Sequence, residues 1–173
     1  MKSFKQHILE KLKVSKHTLT LFPKTKDELK QMIKDEISEN GNECSLNHID
    51  VSRITDMSKL FFGYGFTVDI SEWDVSNVKD MNRMFFDSKF NGDISNWDVS
   101  SVKDMTGMFK ESKFNGDISN WDVSNVENME RMFARSEFNG NISNWDVSSV
   151  TNMSYMFYNS PLENNPPKWY KKI

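Results

Sequence analysis

The fold is decided by residues 91–114, which read Asn91-Gly92-Asp93-Ile94-Ser95-Asn96-Trp97-Asp98-Val99-Ser100-Ser101-Val102-Lys103-Asp104-Met105-Thr106-Gly107-Met108-Phe109-Lys110-Glu111-Ser112-Lys113-Phe114. The pattern returns every 24 residues, in tryptophan, methionine and phenylalanine columns that stay in phase. The tryptophans are Trp73, Trp97, Trp121, Trp145 and Trp169. Repeats of this length are structural units that bury their apolar faces only by stacking on one another.

The first half of the unit has the spacing of a strand. Ile94, Trp97 and Val99 fall at offsets of 0, 3 and 5 residues, which is the spacing of a leucine-rich repeat. Trp97 and Val99 flank Asp98, and this alternation predicts a short strand. Stacked units would place these strands in parallel, about 4.8 Å apart.

The second half of the unit has the spacing of a short helix. Its apolar residues fall at offsets of 0, 3, 6 and 7 and share one helical face: Val102, Met105, Met108 and Phe109. Ser101 stands three residues before Asp104, as an N-cap residue does before the acid of a capping box. The Asn-Gly pair that follows predicts a tight turn back to the next strand.

The predicted fold class is therefore α/β, a leucine-rich-repeat-like solenoid with short parallel strands and short helices, plus an N-terminal helical cap. Residues 1–45 form an N-terminal cap with two helices, residues 46–165 form five 24-residue repeats, and residues 166–173 form a C-terminal cap segment. The apolar spacing of residues 2–14 predicts the first cap helix. A capping box from Thr25 to Glu28 predicts the start of the second.

Composition excludes several classes of protein. The chain has 173 residues, a formal net charge of −3 and a single cysteine, so an internal disulfide framework is excluded. No apolar stretch is long enough to span a bilayer as a helix, and the charge balance gives no case for binding nucleic acid or an anionic membrane. The N-terminal residues lack the apolar core of a secretory signal, so we expect a cytoplasmic protein or one assembled into a particle.

The unit F-N-G-D-I-S-x-W-D-V-S-x-V-x-x-M-x-x-M-F resembles the repeats of BspA-like leucine-rich-repeat proteins, which are surface proteins of Bacteroidetes, mycoplasmas and other organisms. Similar repeats occur in small open reading frames of mobile elements and phages. The resemblance covers about 120 residues, and it implies a solenoid used for adhesion or protein binding at the cell surface, with no catalytic motif to transfer. One departure is that valine (Val78, Val102, Val126, Val150) holds the column of the usual asparagine ladder.

A column of aspartates gives the first candidate site. Asp50 and its equivalents, together with asparagines two residues earlier in three units, form a polar row: Asp74, Asn96, Asp98, Asn120, Asp122, Asn144 and Asp146. In one interpretation each carboxylate closes an Asx turn by accepting backbone N–H groups from the serine that follows. In the other interpretation the row supplies oxygen ligands to Ca²⁺, although the spacing matches no known calcium motif. No other cofactor is predicted.

Columns in the second half of the unit vary from repeat to repeat and give the second candidate site. Phe86, Tyr155 and Tyr158 lie in these columns and would expose aromatic area, which is enriched at protein interfaces. The variable face is either free surface or the surface that selects a partner, and the sequence does not decide which face binds. We expect a protein partner. The sequence leaves the oligomeric state open.

Catalysis has little support in the sequence. The histidines are His7, His17 and His48, all outside the full repeats. Cys44 and His48 are four residues apart, as in a nucleophile–base pair, but the cysteine is better interpreted as part of the junction between the cap and the first repeat. We expect a protein that is not an enzyme.

These observations favour a non-enzymatic repeat scaffold that mediates protein–protein interaction or adhesion. Two alternatives stay open. One is a structural component of a larger assembly such as a phage virion, anchored by residues 1–45. The other is a glycan- or Ca²⁺-binding adhesin that uses the polar aspartate row.

Overall fold

A computed structural model describes residues 18–171, so the helix predicted over residues 2–14 lies outside the described part of the chain. The first element, α1, is an α-helix over Lys26–Asn40. Thr25 is its N-cap, and Thr25 Oγ1 accepts the backbone N–H of Glu28 at 3.2 Å. At the other end Gly41 adopts φ +88° and donates its N–H to the Ile37 carbonyl.

The helix closes one end of the core. Leu29 and Ile33 of α1 are fully buried in the hydrophobic cluster that runs through the repeats. A 3₁₀-helix over Pro161–Glu163 follows the last repeat. No helix among residues 18–171 has the length and apolar character needed to cross a lipid bilayer.

Each repeat forms one turn of a coil, and we call these turns rungs 1 to 5. Counted from the Asn-Gly column, they span residues 43–66, 67–90, 91–114, 115–138 and 139–162. A row of isolated parallel bridges joins the described rungs at one residue per rung: Asp56, Asp80, Asp104, Asn128 and Asn152. A further bridge joins Ser45 of rung 1 to Asp69 of rung 2. Rungs therefore stack in register with a step of 24 residues.

The segment predicted as a helix has a different backbone path. An α-helix bonds each N–H to the carbonyl four residues earlier, whereas Met81 N–H donates to the Asp104 carbonyl of the next rung at 2.9 Å. Arg83, Phe85 and Asp87 likewise donate to the next rung. The N–H of Met84, lying between these donors, bonds three residues back within its own rung.

Left-handed residues make this path regular. Two positions in every rung have positive φ, between 52° and 70°. One column is Lys59, Arg83, Gly107, Arg131 and Tyr155, and the other is Gly63, Asp87, Glu111, Arg135 and Asn159. A left-handed residue cannot continue a right-handed helix, so the segment turns the chain without forming one.

The segment predicted as a strand is also irregular. Trp97 N–H donates to the Ile94 carbonyl at 3.2 Å and Val102 N–H to the Val99 carbonyl at 2.9 Å, so successive turns replace an extended strand. Apart from isolated bridges, residues 18–171 contain no strand, and α1 is their one α-helix. The predicted α/β class, a leucine-rich-repeat-like solenoid with short parallel strands and short helices, is wrong for this reason.

Tryptophan side chains add a second set of bonds between the rungs. Trp97 Nε1 donates to the Ile70 carbonyl of the previous rung at 3.1 Å, and the bond recurs for every tryptophan. The same Ile94 carbonyl accepts Trp97 N–H from its own rung and Trp121 Nε1 from the next. Both lone pairs of a buried carbonyl are thus used, and consecutive rungs are held together through the core.

Two columns of phenylalanine rings fill the interior. Phe85 and Phe109 stack with centroids 5.5 Å apart and planes 3° from parallel. The second column runs through Phe90 and Phe114 at 6.3 Å, and the two columns contact each other at 4.3 Å between Phe85 and Phe90. These rings are almost completely buried, and offset stacks of this kind add stability beyond the area buried.

The Asn-Gly pairs were predicted to supply tight turns, but their glycines serve a different purpose. Gly92, Gly116 and Gly140 do not have positive φ. A Cβ atom on Gly116 would lie 2.9 Å from Cε2 of Phe114, so the position is glycine because the buried ring occupies that space. The neighbouring asparagines form a ladder, in which Asn115 N–H donates to Asn91 Oδ1 at 2.8 Å.

We predict that Gly116→Ala lowers the free energy of unfolding by about 1–3 kcal/mol, because the added methyl group forces the Phe114 ring out of its stack. Urea denaturation followed by tryptophan fluorescence measures the change.

Gly65→Ala is the matched control, since a Cβ atom there meets nothing within 4 Å and the residue does not have positive φ. It should change stability by no more than about 0.5 kcal/mol. Equal losses in the two variants would contradict the packing argument.

Candidate interaction surfaces

The aspartate row predicted from the sequence consists of Asx turns. Asp98 Oδ1 accepts the backbone N–H of Ser100 at 3.0 Å and its hydroxyl at 2.6 Å. The backbone bond recurs in all five rungs, from Asp50 to Asp146. The Ser100 hydroxyl and N–H lower the pKa of Asp98 below its usual value, so the carboxylate stays ionised at neutral pH.

The same row includes three asparagines. Asn96, Asn120 and Asn144 are exposed at the surface. Within residues 18–171, no group of three or more His, Cys, Asp or Glu side chains is placed to hold a metal ion. Ca²⁺ binding by Asp74, Asp122 and their neighbours stays a prediction, and the turns account for the carboxylates without it.

The sequence reasoning did not identify a second aspartate column as a site, because it interpreted Asp104 as the acid of a capping box. It is the column of the parallel bridges, with Asp56, Asp80 and Asp104 in rungs 1 to 3 and asparagine in rungs 4 and 5. All of these side chains are half-buried and accept the backbone N–H two residues on, as Asp104 does from Thr106 at 2.7 Å. The only sequence signal is the change from aspartate to asparagine along one column.

Lysine 26 of α1 neutralises one end of this column. Lys26 Nζ lies 2.6 Å from Asp56 Oδ2 and 2.8 Å from Ser58 Oγ. Burial alone would raise the pKa of Asp56, but the bonds from Lys26 and Ser58 outweigh it and lower that pKa. The pair lies 30 residues apart in the sequence, and it ties the helix to rung 1.

Asp80, in the middle of the column, has the opposite shift. Burial raises its pKa, and the neighbouring carboxylates of Asp56 and Asp104 raise it further. The bond from Asn82 N–H offsets only part of this effect. The ionised form of Asp80 therefore destabilises the folded stack relative to the protonated form.

The variable face carries a strip of aromatic and basic side chains. We define this aromatic–basic strip by its members: Phe62, Phe86, Lys110, Arg131, Arg135, Tyr155 and Tyr158. Phe62 and Phe86 stack with centroids 4.8 Å apart, and Lys110 Nζ lies 4.8 Å from the Phe86 centroid. Phe62, Tyr155 and Tyr158 are 46%, 59% and 43% exposed, which is unusual for large apolar side chains.

Cations from one rung cover rings of the next at the other end of the strip. Arg131 Cζ lies 5.2 Å from the Tyr155 centroid and Arg135 Cζ 5.9 Å from the Tyr158 centroid. Arg131 also pairs with Glu130, and Arg135 with Glu111 at 3.8 Å. Each arginine thus contacts both a ring and a carboxylate, and these contacts hold the exposed rings in place.

The junction between cap and repeats does not resemble a nucleophile site. Burial raises the pKa of the Cys44 thiol, and the nearby Glu36 carboxylate raises it further, so the reactive thiolate is disfavoured. His48 Nε2 lies 3.2 Å from Glu36 Oε1, so the His48 ring contacts the Glu36 carboxylate.

A stack of 24-residue rungs with one polar and one aromatic–basic surface defines a repeat protein. The family model described as "Mycoplasma protein of unknown function, DUF285" matches residues 27–135 and 110–171. The chain belongs to this family. Comparison with curated proteins and with solved structures gave no match.

We predict that Asp80→Asn raises the free energy of unfolding at pH 7 by about 1 kcal/mol. This is the repulsion between two unit charges about 4 Å apart in water. Asparagine keeps the turn, as Asn128 does by accepting the Glu130 N–H. Because the pKa of Asp80 is raised in the folded protein, its charge costs stability above that pKa and costs nothing once the group is protonated. The gain should therefore disappear as the pH falls below the usual aspartate range.

The matched control is Asp98→Asn, because hydrogen bonds lower the pKa of Asp98 and its charge contributes to stability at neutral pH. That variant should be slightly less stable than the parent in denaturant titrations from pH 3 to pH 7. A gain of equal size in both variants would show that general charge reduction, and not the buried column, is responsible.

Proposed function

We propose that the protein is a non-enzymatic repeat scaffold that binds another protein through the aromatic–basic strip. The observation that carries the proposal is the exposure of Phe62, Tyr155 and Tyr158 on one face, held in place by stacking and cation–π contacts. Aromatic residues and arginine dominate the binding energy of protein interfaces. A face that combines them across five rungs suits a protein partner.

Rigidity of the strip favours the same function. Arg131 and Tyr155 project from left-handed residues whose carbonyls each accept the N–H three residues on, and the Arg131 N–H also donates to rung 5. A left-handed conformation costs a residue with a Cβ about 1–2 kcal/mol relative to glycine. Gly107 occupies the same column in rung 3, so glycine is compatible with the backbone there. Large side chains in four of the five rungs favour a role for the side chains themselves.

The resemblance of the repeat unit to BspA-like surface proteins supports adhesion as the setting of this interaction. A virion component anchored by residues 1–45 and a glycan- or Ca²⁺-binding adhesin stay predictions. The Asx turns account for the aspartates without a cation, so the strip is the better supported binding face.

Site-specific photo-crosslinking tests the proposal. A benzoylphenylalanine residue placed at Phe62 or Tyr158 should capture the same protein from cell-surface and culture fractions of the source organism. Phe62→Ser combined with Phe86→Ser and Tyr158→Ser should then weaken binding of the purified partner by more than about tenfold, measured by biolayer interferometry.

The control variant combines Asn96→Ser, Asn120→Ser and Asn144→Ser, which changes three exposed residues of the aspartate row. Binding should be unchanged in this variant. Loss of binding only in the asparagine variant would assign recognition to the aspartate row and reject the strip.

A further inference from the structure

The last rung is covered less completely than the others. Val123, Val126 and Met129 of rung 4 are 1%, 0% and 0% exposed. Their equivalents in rung 5, Val147, Val150 and Met153, are each partly exposed. One side of the core therefore reaches solvent at the end of the stack.

The C-terminal segment covers the other side of that end. Trp169 Nε1 donates to the Ile142 carbonyl at 2.9 Å, as each tryptophan does to the rung before it. The Tyr170 ring packs on Phe157 with centroids 4.9 Å apart, and Phe157 is 1% exposed. The C-terminal segment leaves Val147, Val150 and Met153 partly exposed.

The same edge carries backbone donors. In rung 4, Met129 and Arg131 donate their N–H groups to the Asn152 and Ser154 carbonyls of rung 5. Within residues 18–171, the equivalent N–H groups of Met153 and Tyr155 have no acceptor. An exposed row of unpaired backbone groups is a template for another chain.

Most of the aligned peptide groups that reach this edge end in an N–H group. The Asp104 carbonyl accepts from Met81, and the N–H of Met105, in the same peptide group, donates to Asn128 of the next rung. Four such runs point the same way side by side and end at the N–H groups of Met153, Tyr155, Phe157 and Asn159. A fifth run, in which the Asn152 N–H donates to the Glu127 carbonyl, points the other way and ends at the Thr151 carbonyl. Aligned peptide dipoles leave partial positive charge at the N–H end. Glu163 Oε2 already accepts the Asn159 N–H at 2.9 Å, so an oxygen acceptor is accommodated there.

We propose that the edge formed by Val147, Val150, Met153 and Tyr155 binds an extended segment of another protein as a sixth rung. The carbonyls of that segment, at alternate residues, accept the N–H groups of Met153 and Tyr155. Its apolar side chains cover Val150 and Met153. This contact continues an interface that the chain makes four times between its own rungs. It uses the backbone N–H of Tyr155, whereas binding through the aromatic–basic strip uses the Tyr155 ring.

A second copy of the chain is a poorer occupant than a foreign segment. The matching carbonyls of this chain lie in rung 1, beside the side chains of Asp56 and Ser58 that Lys26 contacts. Leu60 in the same segment is only 2% exposed. Stacking two copies end to end would displace α1 from rung 1.

Amide hydrogen exchange of the full chain, read residue by residue by NMR, tests the proposal. The probe is a capped synthetic peptide with the sequence of residues 125–138, which offers the carbonyls that accept rung 3 donors in the chain itself. Without peptide, the amides of Met153 and Tyr155 should exchange at least about tenfold faster than those of Met129 and Arg131. Saturating peptide should slow both by about tenfold or more.

Two controls separate the explanations. A peptide carrying Met129→Asp and Met132→Asp keeps the backbone but loses the apolar side chains, and it should give no protection. The chain with Phe62→Ser, Phe86→Ser and Tyr158→Ser should still be protected by the parent peptide, so failure of the strip and failure of the edge are distinguishable.

Three results would overturn the proposal. One is slow exchange of Met153 and Tyr155 in the free chain, and another is the absence of protection at saturating peptide. The third is protection that rises with protein concentration when no peptide is present, which would assign the edge to self-association.

Discussion

The structure depends on peptide groups that bond in both directions along the stack. The carbonyl of Asp104 accepts from rung 2, and the N–H of Met105 on the same peptide bond donates to rung 4. Such groups satisfy buried backbone polarity without strands or helices, provided that every rung returns to the same register. Since hydrogen bonds in a chain polarise one another, the interior rungs strengthen their neighbours. The 24-residue step is the length that keeps these runs continuous.

Packing follows from that register. Because equivalent residues lie directly above one another, Phe109 meets Phe85 and Phe133 at centroid distances of 5.5 and 5.7 Å. The same alignment places like charges together, and the raised pKa of the half-buried Asp80, which lies between Asp56 and Asp104, shows the cost. Lysine 26 from outside the repeats and asparagine in rungs 4 and 5 reduce that cost.

The stacking step and the buried columns could be predicted from the sequence, whereas the backbone path could not. Met105, Met108 and Phe109 are fully buried, but their spacing fits a helix as well as the observed succession of turns. Positive φ at Arg83 and Glu111 decides between the two backbone paths, and the residue types arginine and glutamate do not predict it. Gly63 and Gly107, one in each left-handed column, were the available signals.

The candidate sites divide in the same way. The Asx turns at Asp74, Asp98 and Asp122 are local and could be predicted from the Asp-Val-Ser repeat. The contact of Lys26 with Asp56 and the rings of Tyr155 and Tyr158 beneath arginines join residues that the linear pattern does not relate. These contacts can be predicted only once the path of the backbone is known.

The shared carbonyls have a consequence for how such a protein changes over generations. The Ile94 carbonyl accepts one donor from its own rung and one from the next, and the Ile118 carbonyl does the same. An in-frame loss or gain of one whole unit by unequal recombination therefore recreates the same junction at the splice point. The length of the molecule, and with it the reach of its exposed faces, is open to variation without any new solution to the packing problem.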